Sequence, residues 1–403
     1  MSLTKRHFFE CERSDVFMQE TSRHAEVTFR LLPDDGGRDD AQGRSGMSDA
    51  GGLSIGGAQK EFEPETLYLN TASMGLPPIR TTSVLHDTLH AIGRGRRNAQ
   101  DFDAAVAASR ATYGQLVGVD PSDVAIGSQA SALVGLIAAS LPDGAEVLIA
   151  GDDFTSVTFP FLAQDPRITV REVPLADLPG EVTDATTLVA VSLVQSADGA
   201  HVDLDALIAA GERHDARILL DLTQSAGWLP IEAGRVDYTV CSAYKWLLCP
   251  RGAAFLTVRG ERLRDIRPLS ANWYAGGNVW SSIYGSPLRL AEDARRFDVS
   301  PAWLAWVGAQ PSLQLIHEVG VEAIGAHSIG LADAFRREMG MTDGLGQSPI
   351  VSVAVRDGVA DAISKHKIVA AMRAGRLRLS FHLPNTAADV ERAIDALRPY
   401  IAD

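Results

Sequence analysis

The chain has 403 residues, 46 % of them hydrophobic, and a formal net charge of -14. That length accommodates two packed domains, and the acidic balance supplies no basic face for nucleic acid or anionic lipid, while leaving room for a local basic pocket that takes a small anion. No apolar run reaches the length of a membrane span, the charged N-terminus does not read as a secretory signal, and Cys11, Cys241 and Cys249 lack metal-type spacing, so no metal site is expected and a reducing cytoplasm fits best.

Residues 1–60 mix charge, Gly and Ser, as in Asp34-Asp-Gly-Gly-Arg-Asp-Asp40 and Gly51-Gly-Leu-Ser-Ile-Gly-Gly57. This composition predicts a disordered extension, with Met47 an alternative start. From Phe62 short aliphatic runs alternate with Ala-rich helical patterns, the signature of a mostly parallel α/β sheet. Strands are expected at Asp123 to Ile126, Glu146 to Ala150, Ile168 to Val173, Leu188 to Leu193, Ile218 to Asp221, Tyr238 to Cys241 and Ala253 to Val258. Helices include Ser131 to Ser140 and Asp203 to His214. The aromatic loop Ser270 to Gly285 follows the last of these strands, where a lid or a dimer contact is expected. Residues 61–310 are expected to form a large domain, with the segment 61–85 near the active site. Residues 311–403 form a smaller α+β domain, with strands Ile350 to Val355 and Leu377 to Phe381 and a closing helix Asp389 to Ile401. There is no internal repeat.

Arginine carries nearly all of the positive charge. Of five lysines (Lys5, Lys60, Lys245, Lys365, Lys367), Lys245 stands alone between Glu61 and Ser364. A lysine kept in such a chain suggests a task closed to a guanidinium: losing its proton, attacking an aldehyde and holding it as a Schiff base. Asp221 ends the apolar strand Arg217-Ile-Leu-Leu-Asp221, which places a carboxylate at the carboxyl edge of the sheet, where α/β ligand sites form. Taken alone it reads equally well as a helix N-cap or turn aspartate. With Lys245 at the end of the next strand, an acid and an amine reach one edge. A pyridine-aldehyde cofactor needs both, the acid to keep its ring nitrogen protonated and the amine to hold its aldehyde.

The segments Asp221-Leu-Thr-Gln-Ser-Ala-Gly227 and Ser242-Ala-Tyr-Lys-Trp-Leu-Leu-Cys-Pro-Arg-Gly252 resemble the cofactor core of the class V aminotransferase family of fold type I pyridoxal-phosphate enzymes. That family includes cysteine desulfurases, kynureninases, isopenicillin N epimerase-like proteins and C–S lyases. The resemblance runs from about Leu67 to Ile401. It implies a large, mostly parallel seven-stranded α/β domain with a smaller C-terminal α+β domain, and a homodimer with shared active sites. It also implies pyridoxal 5'-phosphate as cofactor and an α-amino acid as the small-molecule substrate. By the same resemblance Lys245 forms the Schiff base and moves the Cα proton, Asp221 pairs with the pyridinium, and Gln224 bonds the phenolic oxygen. Ser128, Gln129, Ala130, Ser131, Ser242 and Tyr244 cradle the phosphate, and Phe154 stacks on the ring. Trp273 and Ser300 fall where family members reach into the partner's phosphate site. For the substrate, Leu377-Arg-Leu-Ser-Phe-His-Leu-Pro-Asn-Thr386 points to Arg378 as the carboxylate grip, with Arg376 the competitor on the same strand face. Tyr68-Leu-Asn-Thr-Ala-Ser-Met-Gly75 adds Asn70 and Ser73 on the substrate side.

The branch of chemistry is narrowed by one departure. Desulfurases of this family carry a nucleophilic cysteine on a C-terminal loop, whereas no cysteine lies between Pro250 and Asp403, and Cys249 reads as a small buried hydrophobe. The expected activity is therefore C–S β-elimination on a cysteine conjugate or sulfoxide. An aminotransferase or epimerase is the alternative, and a kynureninase-like hydrolase comes third. A catalytically silent sensor with this fold is the non-enzyme alternative, against which intact Asp221, Gln224 and Lys245 argue.

Overall fold

The structure is a computed structural model and describes residues 52–402. The expected disordered extension lies outside the described residues up to position 51, and its remainder is ordered. Ser54 caps a helix, α1 (Ile55–Gln59), with its hydroxyl accepting from the Gly57 N–H, and Leu53, Ile55 and Ala58 pack into the main core. Those apolar side chains, spaced among glycines, anchor a segment that its composition marks as loose.

The strand β1 (Leu67–Tyr68) precedes the helices α2 (Ile79–Gly93) and α3 (Asp103–Val117). The large sheet and its helices follow in the order β2 (Val124–Gly127), α4 (Ala130–Ala138), β3 (Glu146–Ala150), α5 (Thr155–Leu162), β4 (Thr169–Val173), β5 (Thr186–Ser192), α6 (Leu204–His214), β6 (Arg217–Asp221), β7 (Tyr238–Ser242) and β8 (Ala254–Val258). Then come α7 (Trp303–Val319), α8 (Val321–Glu338), β9 (Ile350–Val353), α9 (Val359–Lys365), β10 (Ile368–Val369), β11 (Ala371–Arg373), β12 (Arg376–Ser380) and α10 (Ala387–Leu397). The nine strands expected from the sequence are present within one or two residues of their expected ends, and β1, β10 and β11 are additions too short to leave a pattern. α10 stops at Leu397, short of the expected Ile401, because Arg398–Tyr400, containing Pro399, tightens into a 3-10 turn.

Seven strands form one sheet in the order β2-β8-β7-β6-β5-β3-β4, with β8 antiparallel to both its neighbours and the other pairs parallel. Residues along each strand alternate between two cores. Leu148, Val189, Val191 and Leu220 face one, Val147, Ile149, Ala190 and Leu219 the other. Both faces are covered, which is why the strands read as continuous apolar runs.

The smaller part has its own core, which joins Phe335, Val351, Leu377, Leu379, Phe381 and Leu397 to Leu67 and Leu69. The N-terminal segment thus belongs to it as well, since β1 pairs with β10 and Asn70 bridges to Ser380. The expected boundary at residue 310 falls inside α7, which continues unbroken to Val319 and packs on α2 and α3. α7 ends at Gly320, whose φ of 88° also opens α8. Among the described residues no helix is long and apolar enough to cross a membrane.

Candidate active site

Loops at the carboxyl ends of β3, β5, β6 and β7 meet the turn between β2 and α4 around a cavity of about 190 Å³. Parallel strands aim their carboxyl ends at one edge, so residues far apart in sequence converge there. The turn contributes Ser128 and Gln129, and the first turn of α4 contributes Ala130 and Ser131. Phe154 and Ser156 come from the start of α5, which follows β3, and Ser192 and Ser196 from the end of β5 and its loop. Asp221 comes from the end of β6 with Thr223 and Gln224 just after it, and Ser242 from the end of β7 with Tyr244, Lys245 and Arg251 beyond it.

The start of α4 carries backbone N–H groups with no partner inside the helix, a ready anion cradle. One of them is already held, since Ala130 N–H donates to Ser242 Oγ at 3.1 Å. Ser242 N–H in turn donates to Thr223 Oγ1 at 2.9 Å, and Thr223 N–H to Asp221 Oδ1 at 2.8 Å. This chain ties cradle and acid together. The Arg251 guanidinium stacks on the Tyr244 ring, 5.0 Å from its centroid.

Asp221 and Lys245 are both 4 % exposed. Burial raises the Asp221 carboxyl above its ordinary value, against the Thr223 hydrogen bonds and Lys245, which lower it. Burial also lowers the Lys245 ammonium to about 8, with Arg378 pushing the same way and Asp221 opposing. The Lys245 amine makes no hydrogen bond or ion pair among the described residues; Nζ lies 5.2 Å from the Phe154 ring centroid. Behind it the chain is closely packed. Gly75 N–H donates to Tyr244 O at 2.9 Å, and a Cβ at Gly75 would run into the Lys245 carbonyl.

Gln224 lines the cavity, but its amide is fully engaged. Trp246 Nε1 donates to its Oε1 at 2.8 Å, which fixes the amide's orientation, and Nε2 donates to Ala72 O at 3.0 Å and Ser196 Oγ at 2.9 Å. The Ser196 hydroxyl, which accepts from both Gln224 and Arg378, keeps its own proton to donate. In this arrangement the bond expected from Gln224 to a cofactor oxygen has no donor.

Arg378 on β12 is 1 % exposed, with Nη1 donating to the Ser196 carbonyl and hydroxyl and Nη2 to Ser73 Oγ at 2.6 Å. Its Nε has no partner, and it makes no ion pair with an acid among the described residues; burial and Arg373 lower it to about 10. Arg376 is placed elsewhere. It is exposed, and its guanidinium bonds Ser352 on β9, beside a different cavity. Of the two residues expected on the substrate side, Ser73 bonds Arg378, while Asn70 keeps an unpartnered buried Oδ1; neither lines the cavity. Trp273 and Ser300 do not line it either. The loop carrying Trp273 packs on the start of α3, where Tyr274 and Trp280 bond Asp103, so it forms no lid over its own cavity. Ser156, Ser192, Ser196, Thr223 and Arg251 were missed as site residues, although Arg251 stands in the lysine motif and Ser192 lies near the end of an expected strand.

A family model described as Aminotransferase class-V matches residues 90–349. An aminotransferase of Bacillus subtilis (strain 168), described as the uncharacterized aminotransferase YcbU, is 30 % identical over 310 residues, covering 72 % of this chain and 82 % of the relative. Isopenicillin N epimerase of Streptomyces clavuligerus is 26 % identical over 303 residues, 68 % of this chain and 75 % of its own. The solved complex of the cystine C–S lyase C-DES with its reaction product cysteine persulfide matches with a TM-score of 0.76 at 21 % identity, over 83 % of this chain and 98 % of that one, a likeness that shows the fold.

Proposed function

Since the chain belongs to the class V aminotransferase family, we propose that it is a C–S lyase of that family, cleaving cysteine conjugates by β-elimination. The cofactor is pyridoxal 5'-phosphate, which when bound withdraws electrons from the α-carbon of an amino acid and so acidifies its Cα proton. The residues present fit it. Lys245 offers an unbonded amine to the aldehyde, and Asp221 a buried carboxylate to the ring nitrogen. Phe154 offers an apolar ring face, and the α4 N-terminus with Arg251 a phosphate cradle. Lys245 is then the base that takes the Cα proton, and Arg378 holds the α-carboxylate. Trp273 and Ser300 serve the cavity of a second copy in a homodimer.

The observation that carries the lyase reading is a cavity lined by Lys245 and Asp221, with Arg378 bonded to its wall at Ser196, and no thiol among its lining residues. Cys241 and Cys249 are buried in the core, and burial raises both thiols. Sulfur therefore leaves the substrate as a thiolate, with no transfer to the enzyme. A conjugate RS-CH2-CH(NH3+)-COO- plus water yields RSH, pyruvate and ammonium. Incubation with S-substituted cysteines is expected to release pyruvate and ammonium with no added keto acid, checked by a coupled dehydrogenase assay. Strict dependence on a keto acid would replace the lyase with an aminotransferase, the reading that similarity to the Bacillus subtilis protein favours.

The Lys245 shift sets a pH dependence. Because burial lowers the amine to about 8 from 10.5, its neutral, reactive form appears as pH rises through 8. Loading of the apo-protein with pyridoxal phosphate is expected to accelerate with a midpoint near that pH, followed by absorbance in stopped flow.

A further inference from the structure

The cavity's surplus of positive charge extends past Arg378. Arg373, the last residue of β11, donates through Nη2 to Ser73 Oγ at 3.3 Å, the same hydroxyl that Arg378 reaches at 2.6 Å. Its Nη1 is steadied by the Met372 carbonyl at 2.7 Å. The turn Ala374-Gly375, with φ of 46° and 74°, joins β11 to β12 and sets Arg373 near Arg378. Arg373 also depresses both the Lys245 and the Arg378 cations, so its field reaches the cavity.

Arg251, Arg373 and Arg378 have no acidic partner among the described residues, in a chain with 51 acidic residues against 37 Lys and Arg. Elsewhere buried arginines are matched, Arg110 by Asp298 and Arg336 by Asp333. Arg251 lines the cavity, Arg378 borders it through Ser196, and Arg373 adjoins Arg378 through Ser73, so three unmatched guanidinium groups stand in or beside one site and leave room for three anionic groups. On the reading above, the cofactor phosphate meets Arg251 and the substrate's α-carboxylate meets Arg378. Arg373, exposed where Arg378 is buried, is left over.

Resting on that reading, we propose that Arg373 is a specificity residue that binds a second acidic group carried by the substrate's side chain. The preferred substrate is then an amino acid with an anionic side chain, and in the lyase reaction a cysteine conjugate whose departing thiol bears a carboxylate. Planar guanidinium groups recognise carboxylates through paired N–H donors, which suits Arg373 to this role.

The test uses the cofactor-loaded full chain and one ligand pair, S-methyl-L-cysteine and S-(carboxymethyl)-L-cysteine. Dissociation constants are taken from the change in cofactor absorption in the first milliseconds after mixing. The carboxymethyl compound is expected to bind about tenfold tighter, a preference that shrinks with added salt because Arg373 is exposed. In Arg373→Gln the preference is expected to fall to within about twofold, through weaker binding of the carboxymethyl compound alone. Equal affinities in the wild type, or an undiminished preference in the variant, would overturn the proposal. So would equal weakening of both ligands in the variant, which would make Arg373 a support for Arg378 only. Arg378→Gln separates this from the reading beneath it: weakening of both ligands upholds the α-carboxylate role whatever Arg373 does, and no effect on either removes it.

Discussion

Replacing Lys245 with methionine abolishes the borohydride-sensitive visible absorption of the cofactor-loaded protein and lowers turnover by roughly 10³-fold or more, because the residue is both the covalent anchor and the proton acceptor. The fold survives the change. Lys245 makes no hydrogen bond or ion pair among the described residues, and methionine keeps the packing of its stem. Burial disfavours the ammonium form, so the unfolded chain binds the proton more tightly between pH 8 and 10.5. The apo wild type therefore gains stability as pH rises through that window, and carries an unrecovered penalty below it. At pH 7 the apo Lys245→Met protein is expected to melt no lower than the apo wild type, checked by calorimetry. A large fall in melting temperature would instead mark Lys245 as a structural residue.

Arg378→Ala raises substrate KM while the cofactor stays bound. Loss of a buried charge-assisted carboxylate contact costs about 2 to 5 kcal/mol, which corresponds to a KM increase of roughly 30-fold to several thousandfold. Arg378→Lys recovers only part of this, since an ammonium cannot reproduce the paired N–H donors. Arg376→Ala is the matched control and leaves KM unchanged, because that side chain is committed to Ser352. Steady-state kinetics on the three variants, with cofactor content read from absorbance, checks the prediction.

The carboxylate grip also shows where sequence stops being legible. A strand's two-residue period puts Arg376 and Arg378 on one face, and nothing local separates them. They are told apart by Ser352 on a neighbouring strand and by Ser73 and Ser196, which arrive from distant parts of the chain. Asp221 and Lys245 were legible because each ends or follows an apolar strand, and adjacent parallel strands bring such positions to one edge. Gln224 was legible as a cavity residue but not as one whose amide is engaged, since Ala72 and Ser196 take its donors and Trp246 its acceptor. The ordered start of the chain was hidden for the opposite reason. Glycines around Ile55 suggest disorder, and only packing against the main core reveals that Leu53, Ile55 and Ala58 share one side.

The central claim is that Lys245 is the residue that joins the cofactor, and it can be read from a single peptide. The loaded protein is reduced with borohydride, digested and mapped by mass spectrometry for a pyridoxyl-phosphate adduct. The adduct is predicted on Lys245, in the peptide that contains Ala243-Tyr-Lys-Trp246. An adduct on Lys60, Lys365 or Lys367, with Lys245 unmodified, would contradict the account.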